Sequence, residues 1–561
     1  MDALGWEQAD IVLFTGDAYI DHPSFGTAVI GRVLEQVGYR VAIVPQPNWR
    51  DDLRDFKKMG EPRLFFAITS GCMDSMVNHY TANKRLRRDD AYTPGGKSGY
   101  RPDYAVKVYS QILKKLFPKT PLIIGGVEAS LRRLTHYDYW SDRLFPSILV
   151  DSGADMLVYG MGEKPIVEIA KMVEKGILIN EIRDIPQTGF ITNEVNYVDD
   201  KECIILNSFD ECLKNSHKFG ENFKHLEEES NKLNGKRLVE ANGDKLIVIN
   251  PPFTPASTRE MDSWWDLPYM RAPHPRYSGK TIPAWEMIKF SINIHRGCFG
   301  GCSFCTISAH QGKFISSRSE ESILKEIDKV ISMPGFKGYL TDLGGPSANM
   351  YRMEGKDMKV CQKCKKPSCI YPKICSNLNH GHKPLLQLYR KVRSVKGIKK
   401  VTVGSGIRYD LFSDQSDSIN RQYTEELIRY HVSGRLKVAP EHTEEEVLKA
   451  MRKPSFSYFQ MFKSNFESIN RKYSLNQQLI PYFISSHPVS TDNHMKKLAY
   501  LLRQMNLKPE QVQDFTPTPM TLSSTIFYTG IDPYTGKKVY VARTKEAKLK
   551  QKEQFFWNKK R

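Results

Sequence analysis

Short apolar runs alternating with helical stretches, twice over along 561 residues, constrain this chain more than any other feature. In the first 180 residues DIVLFTGD (10–17), YRVAIVPQP (39–47), RLFFAITSG (63–71), PLIIGGVEAS (121–130) and DMLVYG (155–160) read as buried strands. Helical patterns lie between them, such as FGTAVIGRVLEQVG (25–38), closed by Gly38, and YAVKVYSQILKKLF (104–117). Strands separated by single helices imply a parallel sheet covered on both faces. Residues 1–180 are therefore expected to form a doubly wound α/β domain, flavodoxin-like or Rossmann-like.

The pattern loosens over 181–285, where the charged ENFKHLEEESNKLNGKR reads as a helix and connector and two proline-rich stretches read as linker. Alternation resumes at EMIKFSINIHRGC (286–298). GYLTDLGG (338–345), KKVTVGSG (399–406), RLKVAPEH (435–442), QLIPYFISSH (478–487) and QVQDFTPTP (511–519) follow, each reached through at least one helix. Thr443 and Glu446 have the spacing of a capping box for one of these helices. Six such units over 286–530 suggest a partial (β/α)6 barrel with a cysteine-rich insertion at 346–384. Such barrels gather their chemistry at the C-terminal strand ends. The remainder, 531–561, reads as a basic tail.

Ten cysteines bring chemistry into view, because seven of them fall between Cys298 and Cys375. The acidic start MDALGWEQAD lacks the basic n-region and apolar core of a secretory signal. No apolar run approaches the roughly 18 residues of a membrane span. A cytoplasmic, reducing setting is expected, and it argues against a disulfide framework and for metal or redox chemistry. The formal net charge is +19, and residues 537–561 carry ten Lys/Arg against two Glu. That tail is read as solvated, although a polyanionic partner also fits it.

RGCFGGCSFC (296–305) spaces Cys298, Cys302 and Cys305 as C-x3-C-x2-C just past the first barrel strand. Gly297, Gly300 and Gly301 let so short a loop turn three thiols toward one point. Three soft sulfur ligands suit an iron–sulfur cluster, and a missing fourth ligand leaves one iron open. The competing reading is a three-cysteine zinc site completed by His295 or His310.

With Phe304 before the last cysteine, the loop resembles that of the radical S-adenosylmethionine (SAM) superfamily. The resemblance implies a 4Fe–4S cluster on Cys298, Cys302 and Cys305, shielded by Phe304. It also implies SAM chelated at the open iron, and reductive cleavage to methionine and a 5′-deoxyadenosyl radical. A reducing partner such as flavodoxin or ferredoxin would supply the electron. Gly344 and Gly345 stand where the superfamily binds the SAM amino group, with Pro346 in place of the usual acidic residue. GSGIR (404–408) and VAPEH (438–442) stand at strand ends where further SAM contacts are expected. Taken with CQKCKKPSCIYPKIC, PYFISSHP, QVQDFTPTPMTLSSTIFYTG, TGDAYIDHPSFG and GGVEASLRR, the chain is similar nearly throughout to the YgiQ family of radical SAM proteins. One departure is Val489, where relatives are expected to have glycine.

Cys361, Cys364, Cys369 and Cys375 form a second set, C-x2-C-x4-C-x5-C, followed by His380 and His382. It fits a second iron–sulfur cluster, a zinc site, or metal-free thiols. Domains like 1–180 bind cobalamin in some radical SAM enzymes. Here Asp21 and His22 are adjacent rather than in the Asp-x-His-x-x-Gly spacing, so a scaffold or recognition role is favoured over cobalamin. KRLRRDD (84–90) and SLRRLTHYDYW (130–140) mix arginines with aromatics in a way that suits phosphate or RNA bases, or a solvated loop. The leading expectation is a radical SAM enzyme acting on an unassigned substrate, RNA or protein. A non-catalytic, metal-stabilised nucleic-acid-binding protein and an iron–sulfur redox sensor are the alternatives.

Overall fold

A computed structural model describes residues 1, 4–194, 197 and 202–556. The fold is mixed α/β around a nine-stranded sheet. Five strands, β1 (Ile11–Thr15), β2 (Val41–Pro45), β3 (Phe65–Thr69), β4 (Leu122–Gly125) and β5 (Met156–Val158), lie parallel in the order β2-β1-β3-β4-β5. Their continuous apolar sequence is what burial on both faces demands. Val12, Phe14, Phe66 and Ile124 pack with the helix Ala105–Leu116, whereas Leu13, Phe65, Ala67 and Ile123 pack with Gly26–Gln36 and Glu163–Glu174.

The sheet continues through the stretch read above as a connector. β6 (Thr188–Thr192), β7 (Cys203–Ile205), β8 (Arg237–Asn242) and β9 (Lys245–Ile249) extend it in the order β5-β6-β9-β8-β7, antiparallel except for the last pair. The hairpin β8–β9 turns on Asn242-Gly243, with Gly243 at φ +59°. The charged segment before it is the helix Ser216–Ser230, which buries Phe219, Phe223 and Leu226.

The second alternation yields β10 (Ser291–Asn293), β11 (Tyr339–Leu340), β12 (Asp342–Gly344), β13 (Lys400–Val401), β14 (Arg435–Glu441), β15 (Gln478–Ser485) and β16 (Gln511–Asp514). The pairs β10–β12, β11–β13, β14–β15 and β15–β16 are all parallel. Ile292, Leu343, Val401, Leu436, Val438 and Phe483 share one core with the intervening helices. The expected capping box does not form. Glu444 donates its N–H to His442 Nδ1 (3.1 Å), so the helix starts a residue late, at Glu445, and Glu446 faces His494 (3.3 Å).

The basic tail is not simply solvated. Its helix Lys545–Glu553 lies against β15 and β16, burying Lys548 and Gln551. Gln551 accepts from the Ser486 N–H (3.0 Å) and donates to the Ser490 carbonyl (2.7 Å), while Phe555 packs on Phe483. Lys548 donates to the Tyr139 hydroxyl of the N-terminal half (2.5 Å). Residues 557–561 of the tail lie outside the described residues. Val489 adopts φ +80° and donates its N–H to Tyr540 of the same tail. That is the left-handed region in which glycine is the unstrained choice. No helix among the described residues is long and apolar enough to cross a membrane.

One carboxylate ties the start of the sheet together. Asp10 accepts from the Arg40 N–H (2.8 Å), the Arg40 guanidinium (2.9 Å) and Arg63 (2.6 Å). Burial alone raises its pKa, but these bonds outweigh burial and hold it at about 2. A carboxyl lowered on folding adds stability above its unfolded value of about 3.9, and that stability is lost as pH falls toward the folded value. Asp10→Asn is therefore expected to flatten the acid limb of stability between about pH 4 and pH 2. Urea unfolding at stepped pH measures this, and a limb as steep as the wild type's would assign the effect to other carboxyls.

Candidate functional site

β10 leads directly into the first cysteine loop, which His295–Arg296 closes by pairing antiparallel with Ser316–Ser317. Gly297, at φ +88°, lies against the Phe314 carbonyl, where a Cβ would overlap it. Its N–H donates to Gln311 Oε1 (3.1 Å), and the Cys298 N–H donates to the Gly312 carbonyl (3.1 Å). Gly300 lies between two thiols. A Cβ there would stand 3.3 Å from Cys298 Sγ and 4.0 Å from Cys302 Sγ. Cys305 follows in a turn closed by its N–H on the Cys302 carbonyl (3.1 Å).

Burial, and then Cys302 beside it, push the Cys298 thiol up to about 11; burial and both other cysteines push Cys305 up to about 12. Such crowding opposes a trio of bare thiolates, and a metal cation among them reverses the balance. Arg408 supplies part of that charge, with Nη1 3.7 Å from Cys302 Sγ and its guanidinium paired to Asp410 (2.7 Å). Asn349 seats it by accepting the Arg408 N–H (2.8 Å). Phe304 packs edge-on against His487, which hydrogen-bonds Ser523; Ser523 in turn meets Ser303 (2.8 Å).

Among the described residues no three His, Cys, Asp or Glu side chains converge on a point that one metal ion could occupy. Tetrahedral zinc needs its donors about 2.0–2.3 Å from a single ion. An iron–sulfur cube instead spreads its thiolates over separate irons. Of the two histidines considered for a zinc set, His310 is engaged elsewhere, whereas both ring nitrogens of His295 are buried without a partner. His310 shares a hydrogen bond with Ser130 (3.0 Å), and burial lowers its pKa to about 4. His295 is fully buried with its ring against Gly345. Gly345 thus admits that ring, and Gly344, whose carbonyl accepts from Ile294 (2.8 Å), packs on Ser405.

The second cysteine set docks on the first. The Cys369 N–H donates to the Phe299 carbonyl (3.1 Å), and the Ser368 hydroxyl reaches the same oxygen (3.3 Å). Gly301, at φ +60°, lies under the Pro367 carbonyl, where any Cβ would overlap it. Lys313 is buried between the loops, donating to the carbonyls of Cys364 (3.1 Å) and Lys366 (2.8 Å), with Cys364 Sγ at 3.6 Å. Burial raises the Cys369 thiol to about 11, and Lys313 pulls against it. Gly301→Val is expected to separate the loops and cost about 2–4 kcal/mol. Denaturant unfolding checks this, and a loss below about 0.5 kcal/mol would mean that the loops are not mechanically joined.

The N-terminal half contributes a cavity of about 290 Å³ at the C-terminal ends of β1, β3, β4 and β5. Arg296, His310 and Gln311 of the first cysteine loop form its far wall. His22 is not on the cavity wall: it is buried, with Nδ1 accepting the Ser24 N–H (3.0 Å). One sequence expectation changes here. SLRRLTHYDYW is not a surface patch, because Arg132 and Arg133 are buried and Arg132 pairs with Asp74. Lys84 to Asp89 are exposed, as a solvated loop would be.

A family model described as "Radical SAM N-terminal" matches residues 1–291, and one described as a "Domain of unknown function (DUF3362)" matches 510–559. A UPF0313 protein of Bacteroides thetaiotaomicron is 57% identical over 99% of this chain and 92% of its own length. A UPF0313 protein of Porphyromonas gingivalis is 56% identical, covering 100% and 89% respectively. The chain belongs to the UPF0313 family. Among solved structures, the radical S-adenosylmethionine methyltransferase TsrM from Kitasatospora setae, with cobalamin and a 4Fe–4S cluster bound, aligns over 92% of the UPF0313 chain and 74% of its own. The identity is 13% and the TM-score 0.49.

Three parts of the UPF0313 site escaped sequence reasoning. Arg408 was visible only as the end of GSGIR, and its reach to Cys302 depends on β10 and β13 lying on either side of β11 and β12. Lys313 carries no motif at all. His487 and Ser523 lie 36 residues apart, and only the fold brings them together behind Ser303.

Proposed function

We propose that this UPF0313 chain is a radical SAM enzyme in which Cys298, Cys302 and Cys305 hold a 4Fe–4S cluster. The observation that carries the reading is the gathering of half-buried, mutually crowded thiols, Cys298 and Cys302 at Gly300 with Cys305 near them and the Arg408 guanidinium beside them, at the end of the first barrel strand. When bound and reduced, such a cluster supplies the electron that cleaves SAM to methionine and the 5′-deoxyadenosyl radical. The chain's own residues do the rest. Arg408 offsets the negative charge of the sulfurs. Phe304 and the His487–Ser523–Ser303 chain hold the loop against the segment after β15 and the helix Leu522–Thr529. Gly345, which admits the His295 ring, and Gly344, which packs on Ser405, shape the wall expected to face SAM.

Buried Glu441, at φ +68° with Lys453 3.7 Å away, offers a charged pair at the end of β14 for the polar groups of SAM. In this reading a flavodoxin or ferredoxin delivers the electron in the cytoplasm. Cys361, Cys364, Cys369 and Cys375 hold a second metal centre, with Lys313 as its counter-charge. The basic chain suits an RNA or protein substrate. The N-terminal half serves as a scaffold or recognition domain, and no step is assigned to cobalamin.

The deciding experiment is anaerobic reconstitution with iron and sulfide, reduction, and addition of SAM, followed by chromatography for 5′-deoxyadenosine. Formation of the nucleoside supports the enzyme. A brown protein that never cleaves SAM with any reductant would favour a sensor, and a protein that takes zinc and never iron would end the proposal.

A further inference from the structure

A second cavity, of about 110 Å³, lies between the turn after β5, the segment 252–256 and the helix Ile307–Gln311. Five cations line it, Arg133, Lys164, Lys232, Arg296 and Lys313, and no Asp or Glu does. Three of the five are neutralised from behind: Lys164 by Glu260 (2.8 Å), Lys232 by Glu229 and Arg296 by Glu163. Arg133 and Lys313 have no carboxylate partner among the described residues.

Arg133 is the sharper case. It is 1% exposed. Nη1 donates to the Ser130 carbonyl (2.7 Å) and also contacts Met520 Sδ, while Nη2 donates to Ser230 Oγ (2.9 Å). The guanidinium lies 4.5 Å above the Tyr159 ring, and its Nε has no partner. Burial without counter-charge lowers its pKa to about 10. A buried guanidinium lacking an anion is strongly unfavourable, and proteins keep one where a ligand brings the missing charge.

We propose that this cavity is an oxyanion site, in which Arg133 anchors the phosphate or carboxylate of a small-molecule ligand. The body of that ligand lies in the larger cavity, since Gly160, Met161, Arg296, His310 and Gln311 line both. The larger space is walled by Leu13, Ile30, Ile68, Ile124, Val158 and Ile166 and opens where the strand order of the parallel sheet reverses, between β1 and β3. Clefts of this size suit a small amphipathic anion rather than a polymer. That the anion is the substrate of the radical chemistry rests on the function proposed above; the binding site itself does not.

The test is calorimetric titration of the full-length chain with inorganic phosphate and, separately, formate, before and after cluster reconstitution. Wild type is expected to bind one of these anions saturably, and which one tells phosphate from carboxylate. Arg133→Met is expected to weaken that binding at least about tenfold, and Arg133→Lys to restore part of it. Ser230→Ala, expected to weaken binding severalfold, serves if the methionine variant does not fold. Wild type binding neither anion, or Arg133→Met or Ser230→Ala binding as well as wild type, would overturn the site. Anion binding in a protein that never cleaves SAM would leave the site standing and sink the enzyme reading; SAM cleavage without anion binding would do the reverse.

Discussion

Cys302→Ala is expected to abolish 5′-deoxyadenosine formation and to remove about four irons per chain on reconstitution. The loop holds no fourth cysteine, and His310 is turned to Ser130. Losing one thiol therefore leaves the other two with no further cysteine in the loop to close the set. Cys298→Ala and Cys305→Ala should match it, while Cys203→Ala, on an edge strand far along the sequence, should retain both iron and turnover. The Cys361→Ala/Cys364→Ala pair separates the two centres. It should lower iron content while preserving SAM cleavage if the second set holds its own cluster. Full turnover in Cys302→Ala would remove the loop from the chemistry.

The second large effect is on stability. Glu326 is buried in the helix Glu320–Ile331 and accepts from two buried arginines, Arg271 and Arg318. Arg271 also donates to the carbonyls of Lys289 (3.1 Å) and Ser291 (2.8 Å), and Arg318 to that of Asn293 (2.8 Å). This single carboxylate joins the end of the N-terminal region to both ends of β10. Glu326→Leu leaves two buried guanidinium groups facing each other without an anion, and should cost about 3–5 kcal/mol. Glu326→Gln keeps the shape and one acceptor and should cost less. Denaturant midpoints measure both, and a leucine variant within about 1 kcal/mol of wild type would show that the carbonyls alone satisfy the arginines.

Strands and helices with strong periodicity were legible in the sequence. FGTAVIGRVLEQVG was expected as a helix over 25–38 and is one over Gly26–Gln36; DIVLFTGD holds β1. The connector was misjudged because the charges of 221–237 outweighed an available signal, Asn242-Gly243 between two alternating apolar runs. The capping box failed because His442, one residue upstream of Thr443, took the N–H that would have started the helix. The lysines of the tail masked an amphipathic helix whose buried residues include Lys548 and Gln551, polar side chains that no hydropathy pattern marks. Val489 was legible as an oddity, and its φ of +80° supplies the reason. Within the site, the cysteine spacing was local and could be read; the partners of those cysteines come from loops after four different strands, so they could not.

The helix Lys545–Glu553 has a consequence in time as well as space. The nine-stranded sheet can close once the ribosome has released Ile249, but β15 and β16 wait for Gln551 and Phe555, some three hundred residues later. Domains emerging from the ribosome fold in order, at roughly 5–20 residues per second. For seconds after β16 has emerged, the chain therefore holds β15 and β16 without the helix that covers them. A chain stalled in that interval would leave the parts of β15 and β16 that the helix covers open to proteolysis.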